Sequence, residues 1–226
     1  MTNQRTQWDF NRFIQTLDYF EAIPIVSWIQ KQFQPRPVPQ ADLKSATGTN
    51  MILFDFSDSS IDLRQTWGAL DDVVMGGVSD SAIRIENGEA VFSGNVSTAN
   101  SGGFASVRTR NFEPAIDLSA YTGIELQVKG DGNRYKFLVR DSDGWDSVGF
   151  SHSFDTVRDQ WITVKIPFDQ MIAVFRAKTL PDQKIQAGNV RSLQLMLSKF
   201  EYDGALNPHF QPGTFALAVS RIAAYR

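Results

Sequence analysis

Two hydrophobic periodicities divide the chain. Phe10, Phe13, Ile14, Leu17 and Phe20 recur at helical spacing with Asp9, Arg12, Gln15, Thr16 and Asp18 on the other face, which predicts an amphipathic helix. Pro24 cannot continue that helix but fits the first turn of a second one, with Ile25, Val26, Trp28, Ile29 and Phe33 as its apolar positions. Gln34-Pro-Arg-Pro-Val-Pro39 alternates proline too densely for a helix or central strand, and reads as a semi-rigid linker. From Met51 the period becomes two. Ile83-Arg-Ile85, Ala90-Val-Phe92, Ile124 to Val128, Tyr135 to Val139, Ile162 to Ile166, Leu193 to Leu197 and Phe215 to Val219 all predict strands. Asn87-Gly88 between two of these runs has the composition of a tight hairpin turn. The expected organisation is a helical extension over 1–34, a proline-rich linker over 35–50 and an all-β domain over 51–226 that folds alone, a sandwich or jelly roll.

Composition narrows the chemistry. The 226 residues suffice for one large domain with an appendage, and no internal repeat is present. A net charge of −3 with acids and bases interspersed gives no basic field, so a nucleic-acid partner is not expected. The absence of cysteine removes disulfides, thiolate nucleophiles, iron–sulfur ligation and cysteine-based zinc sites. The first residues carry neither a signal peptide pattern nor an Arg-rich transit pattern, and no window offers the ~20 apolar residues of a membrane span. The expectation is a cytoplasmic protein whose membrane contact, at a thylakoid or plasma membrane, is peripheral.

The densest chemistry lies in Trp67-Gly-Ala-Leu-Asp-Asp-Val-Val-Met-Gly-Gly-Val-Ser-Asp-Ser81. Gly76 and Gly77 permit positive φ, so a sharp turn can carry Asp71, Asp72, Ser79 and Asp80 as a polar surface feature. The competing reading is a structural turn with Trp67 in the core. Paired carboxylates can split their protonation states for acid/base work, yet adjacent strand residues point apart and the sequence names no second carboxylate to pair with them across a sugar.

This segment, followed by Ser101-Gly-Gly-Phe-Ala-Ser-Val-Arg108, Lys129-Gly-Asp-Gly132 with Tyr135, and Trp161 leading into Ile166-Pro-Phe168, resembles the complex I intermediate-associated protein 30 family from about Phe54 onward. The resemblance implies a galactose-binding-like β-sandwich that assists assembly of the proton-pumping NADH dehydrogenase. It supplies no catalytic residues and no cofactor. Arg176-Ala177 departs from the Arg-Gly of the family pattern, which puts in question any role that needs positive φ there. Trp8 to Phe13 and Tyr19 to Pro24 are similar to the extension of cyanobacterial and plastid members, which would make the client a thylakoid-type dehydrogenase or another photosynthetic complex. The residues expected to meet a partner or ligand are Trp67, Asp71, Asp72, Met75, Gly76, Gly77, Ser79, Arg108 and Trp145. The expected partners are protein subunits or assembly intermediates of a membrane complex. The N-terminal helices either dock on such a partner or membrane, or pack back onto the chain's own sandwich.

The remaining candidates are weaker. Asp141-Ser-Asp-Gly-Trp-Asp146 begins like a calcium loop but lacks the later bidentate Glu, and a hairpin tip is the better reading. His152 and His209 have no companions for zinc, so no metal is expected. No Gly-x-Ser-x-Gly elbow marks a nucleophile, and Lys129 to Tyr135 lacks either phosphate-binding spacing and reads as a hairpin. Asn95-Val-Ser97 is a glycosylation sequon that matters only in a secreted protein. The alternative function is a carbohydrate-binding module with Trp67, Tyr121 and Trp145 as stacking platforms.

Overall fold

Alternation of apolar and polar residues makes strands because successive side chains leave a strand on opposite faces. The computed structural model describes residues 7–20, 44–45, 50–144 and 146–226. Its strands are β1 (Lys44–Ser45), β2 (Met51–Asp55), β3 (Trp67–Ala69), β4 (Asp80–Glu86), β5 (Glu89–Val96), β6 (Phe104–Thr109), β7 (Gly123–Lys129), β8 (Arg134–Arg140), β9 (Gly149–Asp155), β10 (Trp161–Pro167), β11 (Ile172–Phe175), β12 (Lys178–Thr179), β13 (Ser192–Ser198) and β14 (Gly213–Tyr225). They form two seven-stranded sheets. The first runs β1-β2-β14-β5-β4, with β7 on the other flank of β14 and β10 beyond it; the second runs β12-β11-β9-β8-β13-β6-β3. All strand pairs within them are antiparallel.

The core lies between the sheets. Ile124, Leu126 and Val128 of β7 face Tyr135, Phe137 and Val139 of β8 and Leu193, Leu195 and Leu197 of β13 across it, and all are essentially sealed from solvent. Burying each such side chain contributes about 1.5–3 kcal/mol. All the strands expected from the period-two runs are present; β3, β11 and β12 are too short to show a period.

Turn chemistry sets the register. Glu86 pairs with Glu89, so Asn87-Gly88 is a two-residue loop, with φ of 53° and 79°. Positive φ at both positions is the type I′ turn that the sequence predicts. Phe175 pairs with Lys178 around Arg176-Ala177, which adopt φ of 49° and 63°. The departure from Arg-Gly thus leaves the same kind of turn in place, with an alanine carrying the left-handed cost.

In the N-terminal extension, α1 spans Phe10–Tyr19, with the Asp9 side chain accepting from the N–H groups of Asn11 and Arg12. The second helix expected after Pro24 and the Pro-rich run lie outside the described residues. Lys44–Ser45, within the stretch read as linker, pair with Ile52 and Met51 as strand β1. No proline follows Pro39 there, so the backbone keeps its donors. A further turn of helix, α2 (Leu63–Thr66), leads into β3. Among the described residues no helix is long and apolar enough to cross a membrane.

Candidate functional site

After β3 the chain enters a 3-10 turn over Asp72–Met75, which Gly76 ends in the left-handed region at φ 89°. Leu70 N–H donates to the Ser106 carbonyl at 2.8 Å, so the segment is stitched to β6. Asp71 and Asp72 then turn to different partners, each only 1% exposed. The Asp72 carboxylate accepts from Ser79 N–H (2.9 Å), Ser79 Oγ (2.6 Å), Gly103 N–H (2.7 Å) and Phe104 N–H (3.3 Å). A Cβ on Gly77 would stand 2.3 Å from Asp72 Cγ, and one on Gly102 would stand 2.5 Å from its Oδ2. The Gly-Gly pair therefore divides its duties: Gly76 supplies positive φ, whereas Gly77 supplies room for the carboxyl, correcting the expectation that both are there for φ.

Asp71 accepts from Ser81 N–H (2.9 Å), Ser81 Oγ (2.6 Å), Ser106 N–H (2.9 Å) and Arg12 Nη2 (2.8 Å). Burial pushes its pKa up to about 6, against the pull of Ser81, Ser106 and Arg12. Such a value suits a general base at neutral pH, but every donor around it is already engaged and the group has no open face. Segments 67–81 and 101–108 thus meet on a pair of buried carboxylates.

The helix joins the same knot. Arg12 Nη1 donates to the Ser79 carbonyl (2.9 Å), and Trp8 Nε1 donates to the Val73 carbonyl (2.7 Å). Tyr19 lies flat on Gly68, where a Cβ would stand 2.3 Å from its Cε1. The Arg108 guanidinium sits over the Phe20 ring at 4.3 Å, and that of Arg110 over Tyr19 at 3.9 Å. Arg12, Thr16, Tyr19 and Phe20 are the docked side, while Phe10 and Ile14 of the predicted apolar stripe face outward. Of the two placements left open for this helix, the described residues adopt the one against the sandwich.

The residues expected at a binding surface fall into two groups. Trp67 (3% exposed), Asp71, Asp72, Ser79 and Arg108 are buried, and offer a partner nothing to touch directly. Trp67 packs on Phe54 with ring centroids 5.5 Å apart. Burial also lowers the pKa of Arg108 from the usual guanidinium range. Met75 is 78% exposed, Gly76 is half-buried and Gly77 is buried. Trp145 lies outside the described residues. Of the proposed sugar platform, Trp67 has no free face, and Tyr121 is partly buried against the core beneath Arg226. Trp8, Phe10 and Ile14 form exposed apolar surface on the side of α1 next to the Met75 turn, with Trp8 and Phe10 in ring contact at 5.8 Å.

In the acidic loop each carboxylate has its own partner. Asp141 accepts from Gln186 N–H (2.9 Å), Asp143 pairs with Arg191, and Asp146 accepts from Arg176 at 2.5 Å. His152 is half-buried on β9 with its pKa lowered by burial, and His209 meets Asp155 at 2.9 Å. Among the described residues no cluster of His, Asp or Glu is arranged to hold a metal ion. Lys129 to Tyr135 form the β7–β8 turn, where Asp131 accepts from Tyr135 Oη and from the N–H groups of Asn133 and Ala216.

Sequence reasoning passed over Arg12, Ser81, Gly102, Gly103 and Ser106 as site residues. Ser79 and Ser81 alternate along the chain, and that was the available signal, because alternate positions can serve the two diverging carboxylates.

The family model described as complex I intermediate-associated protein 30 matches residues 54–219. A comparison with curated protein sequences finds no significant match. Among solved structures, the family 11 carbohydrate-binding module of a cellulosomal cellulase from Clostridium thermocellum superposes with a TM-score of 0.57 at 19% identity, covering 80% of this chain and 96% of that one. The same module in complex with a β-1,3-1,4-mixed-linked tetrasaccharide gives 0.56 at 20% identity, covering 80% and 97%. An agarase gives 0.52 at 10% identity, covering 79% of this chain and 25% of that one. These likenesses establish the jelly-roll sandwich architecture.

Proposed function

The chain belongs to the complex I intermediate-associated protein 30 family, and from that membership we propose that it is a non-catalytic assembly factor that holds subunits or intermediates of a membrane-bound NADH dehydrogenase-type complex. A client in a thylakoid-type dehydrogenase or another photosynthetic complex, met by peripheral contact at the membrane, is the more specific form of this reading. Its contact surface is Met75 and Gly76 with Trp8, Phe10 and Ile14. The observation that carries it is the 78% exposure of Met75 at the tip of a turn anchored by buried carboxylates. A flexible thioether on a rigid mount suits an apolar partner surface that is wide and uneven. Asp71, Asp72, Ser79, Trp67 and Arg108 act beneath it by fixing the shape of the turn and the seat of α1.

The likeness to carbohydrate-binding modules, at 19% and 20% identity, speaks for architecture and not for a ligand. Affinity capture from native membranes with the wild-type chain and with Met75→Asp/Phe10→Asp tests the proposal. Enrichment of dehydrogenase subunits by the wild type and its loss in the double variant are the expected results. Capture of the same subunits by both forms would remove this surface. Retention on an oligosaccharide column, with no subunit captured, would replace the assembly reading by the sugar-binding one.

A further inference from the structure

The outer face of the second sheet is unusually polar for a buried surface. Because Leu193, Leu195 and Leu197 of β13 fill the core, Ser192 and Gln194 point the other way, yet both are 1% exposed. Ser192 pairs across the sheet with Arg140 at the end of β8. Arg140 Nη1 donates to Gln194 Oε1 at 2.6 Å, and among the described residues Arg140 has no salt bridge. Its Nε is buried without a hydrogen-bond partner, and so are the hydroxyls of Ser192 and of Ser147 in the neighbouring loop. Buried donors are rarely left unmet, because an unpaired one forfeits the hydrogen bonds it would make to water.

Charge points the same way. Burial lowers the pKa of Arg140 to about 10, and the positive charge of Arg140 lowers that of Arg108 in turn. Asp146 acts favourably on both, but its carboxylate is held by Arg176 at 2.5 Å. Gly149 lies beside the guanidinium, where a Cβ would stand in contact at 3.6 Å from Arg140 Nη2, so the glycine keeps a side chain off that edge. Arg140, Asp146 and Ser147 are half-buried residues, so the corner lies near the surface on its loop side, with the three donor atoms themselves covered.

We infer that this corner is a binding site for an oxyanion, a carboxylate or phosphate group held by the Nε edge of Arg140 and the hydroxyls of Ser192 and Ser147. A planar guanidinium edge matches two oxygens of such a group, and the two hydroxyls supply the remaining donors. Water could meet these donors but would bring no negative charge to the guanidinium beyond that of Asp146, which Arg176 already engages. The site is separate from the Met75 surface and does not depend on the assembly reading.

Thermal melting of the full chain tests it in sodium phosphate and in sodium glutarate, each against sodium chloride at equal ionic strength. A saturable rise in Tm is expected, since a ligand bound only by the folded state stabilises it in proportion to the logarithm of its concentration. Arg140→Gln is expected to weaken the apparent affinity about tenfold or more, and Ser192→Ala, a change that leaves the sheet intact, by a smaller factor. Asp146→Asn should tighten binding by removing the competing carboxylate. A response to phosphate alone assigns a phosphoryl group, and one to glutarate a carboxylate. No saturable rise in the wild type, or an equal rise in Arg140→Gln and Ser192→Ala, overturns the site.

Discussion

The chain has two conspicuous acidic clusters, and they solve the problem of negative charge in opposite ways. Asp71 and Asp72 are sealed at 1% exposure and are met chiefly by backbone N–H groups and serine hydroxyls, with Arg12 the cation on Asp71. Asp143 and Asp146 stand in a loop at 73% and 34% side-chain exposure and lean on Arg191 and Arg176. The carboxylates are alike. What differs is the neighbourhood: glycine and serine can crowd backbone donors around a small anion, whereas the long arginines pair directly with an exposed one that water also solvates. The first arrangement stores stability in the fold, and the second stores little.

The sharpest way to break this contrast is Asp72→Ala. It strands Ser79 N–H, Ser79 Oγ and Gly103 N–H in a dry site, and a loss of about 3–5 kcal/mol is expected in urea unfolding. A loss below about 1 kcal/mol would put Asp72 in the same class as the loop acids.

Arg12→Ala comes next and is dependent on pH. The folded Asp71 carboxyl titrates near 6 against an ordinary 3.8, so the folded state binds this proton more tightly than the unfolded state does. Its contribution is therefore fully present below about pH 4 and is lost as pH rises through about 6. Arg12 favours the ionised form, so its removal should cost about 2–4 kcal/mol at pH 8 and under about 1 kcal/mol at pH 5. Equal losses at the two pH values would show that Arg12 serves Ser79 and the helix rather than the Asp71 charge.

Ala177→Gly sharpens the other side of the comparison, because Ala177 shapes the hairpin from which Arg176 reaches Asp146. With φ at 63°, glycine removes a steric cost, and thermal unfolding should give a gain of about 1 kcal/mol. The smallest effect is expected from Asp143→Ala, within about 1 kcal/mol despite its close pairing with Arg191. A double-mutant cycle with Arg191→Ala checks that value.

The sheets were legible because their period is written locally. Strands β7, β8 and β13 carry apolar residues at alternate positions, and Asn87-Gly88 names its own turn. The carboxylate knot was legible only as composition. Gly103 lies 31 residues from Asp72, and Ser106 lies 35 from Asp71, so nothing local says which donors close on which acid. Trp67 read as surface because a Trp beside acids can stack on a ligand; its contact with Phe54 is a tertiary fact. The stripe on α1 read as the docked side, yet Arg12 and the Tyr19–Gly68 contact turn the helix so that Phe10 stays outside.

Strand β14 pairs with β5, β7 and β2, all made before it. Until the ribosome has passed Gly213, those earlier strands lack the partner that joins them, and the first sheet cannot close. Folding must then wait on contacts between residues far apart in sequence, which is slow and leaves strand edges open to other chains. The first sheet is therefore completed only when this last long strand enters between β7 on one edge and β2 and β5 on the other.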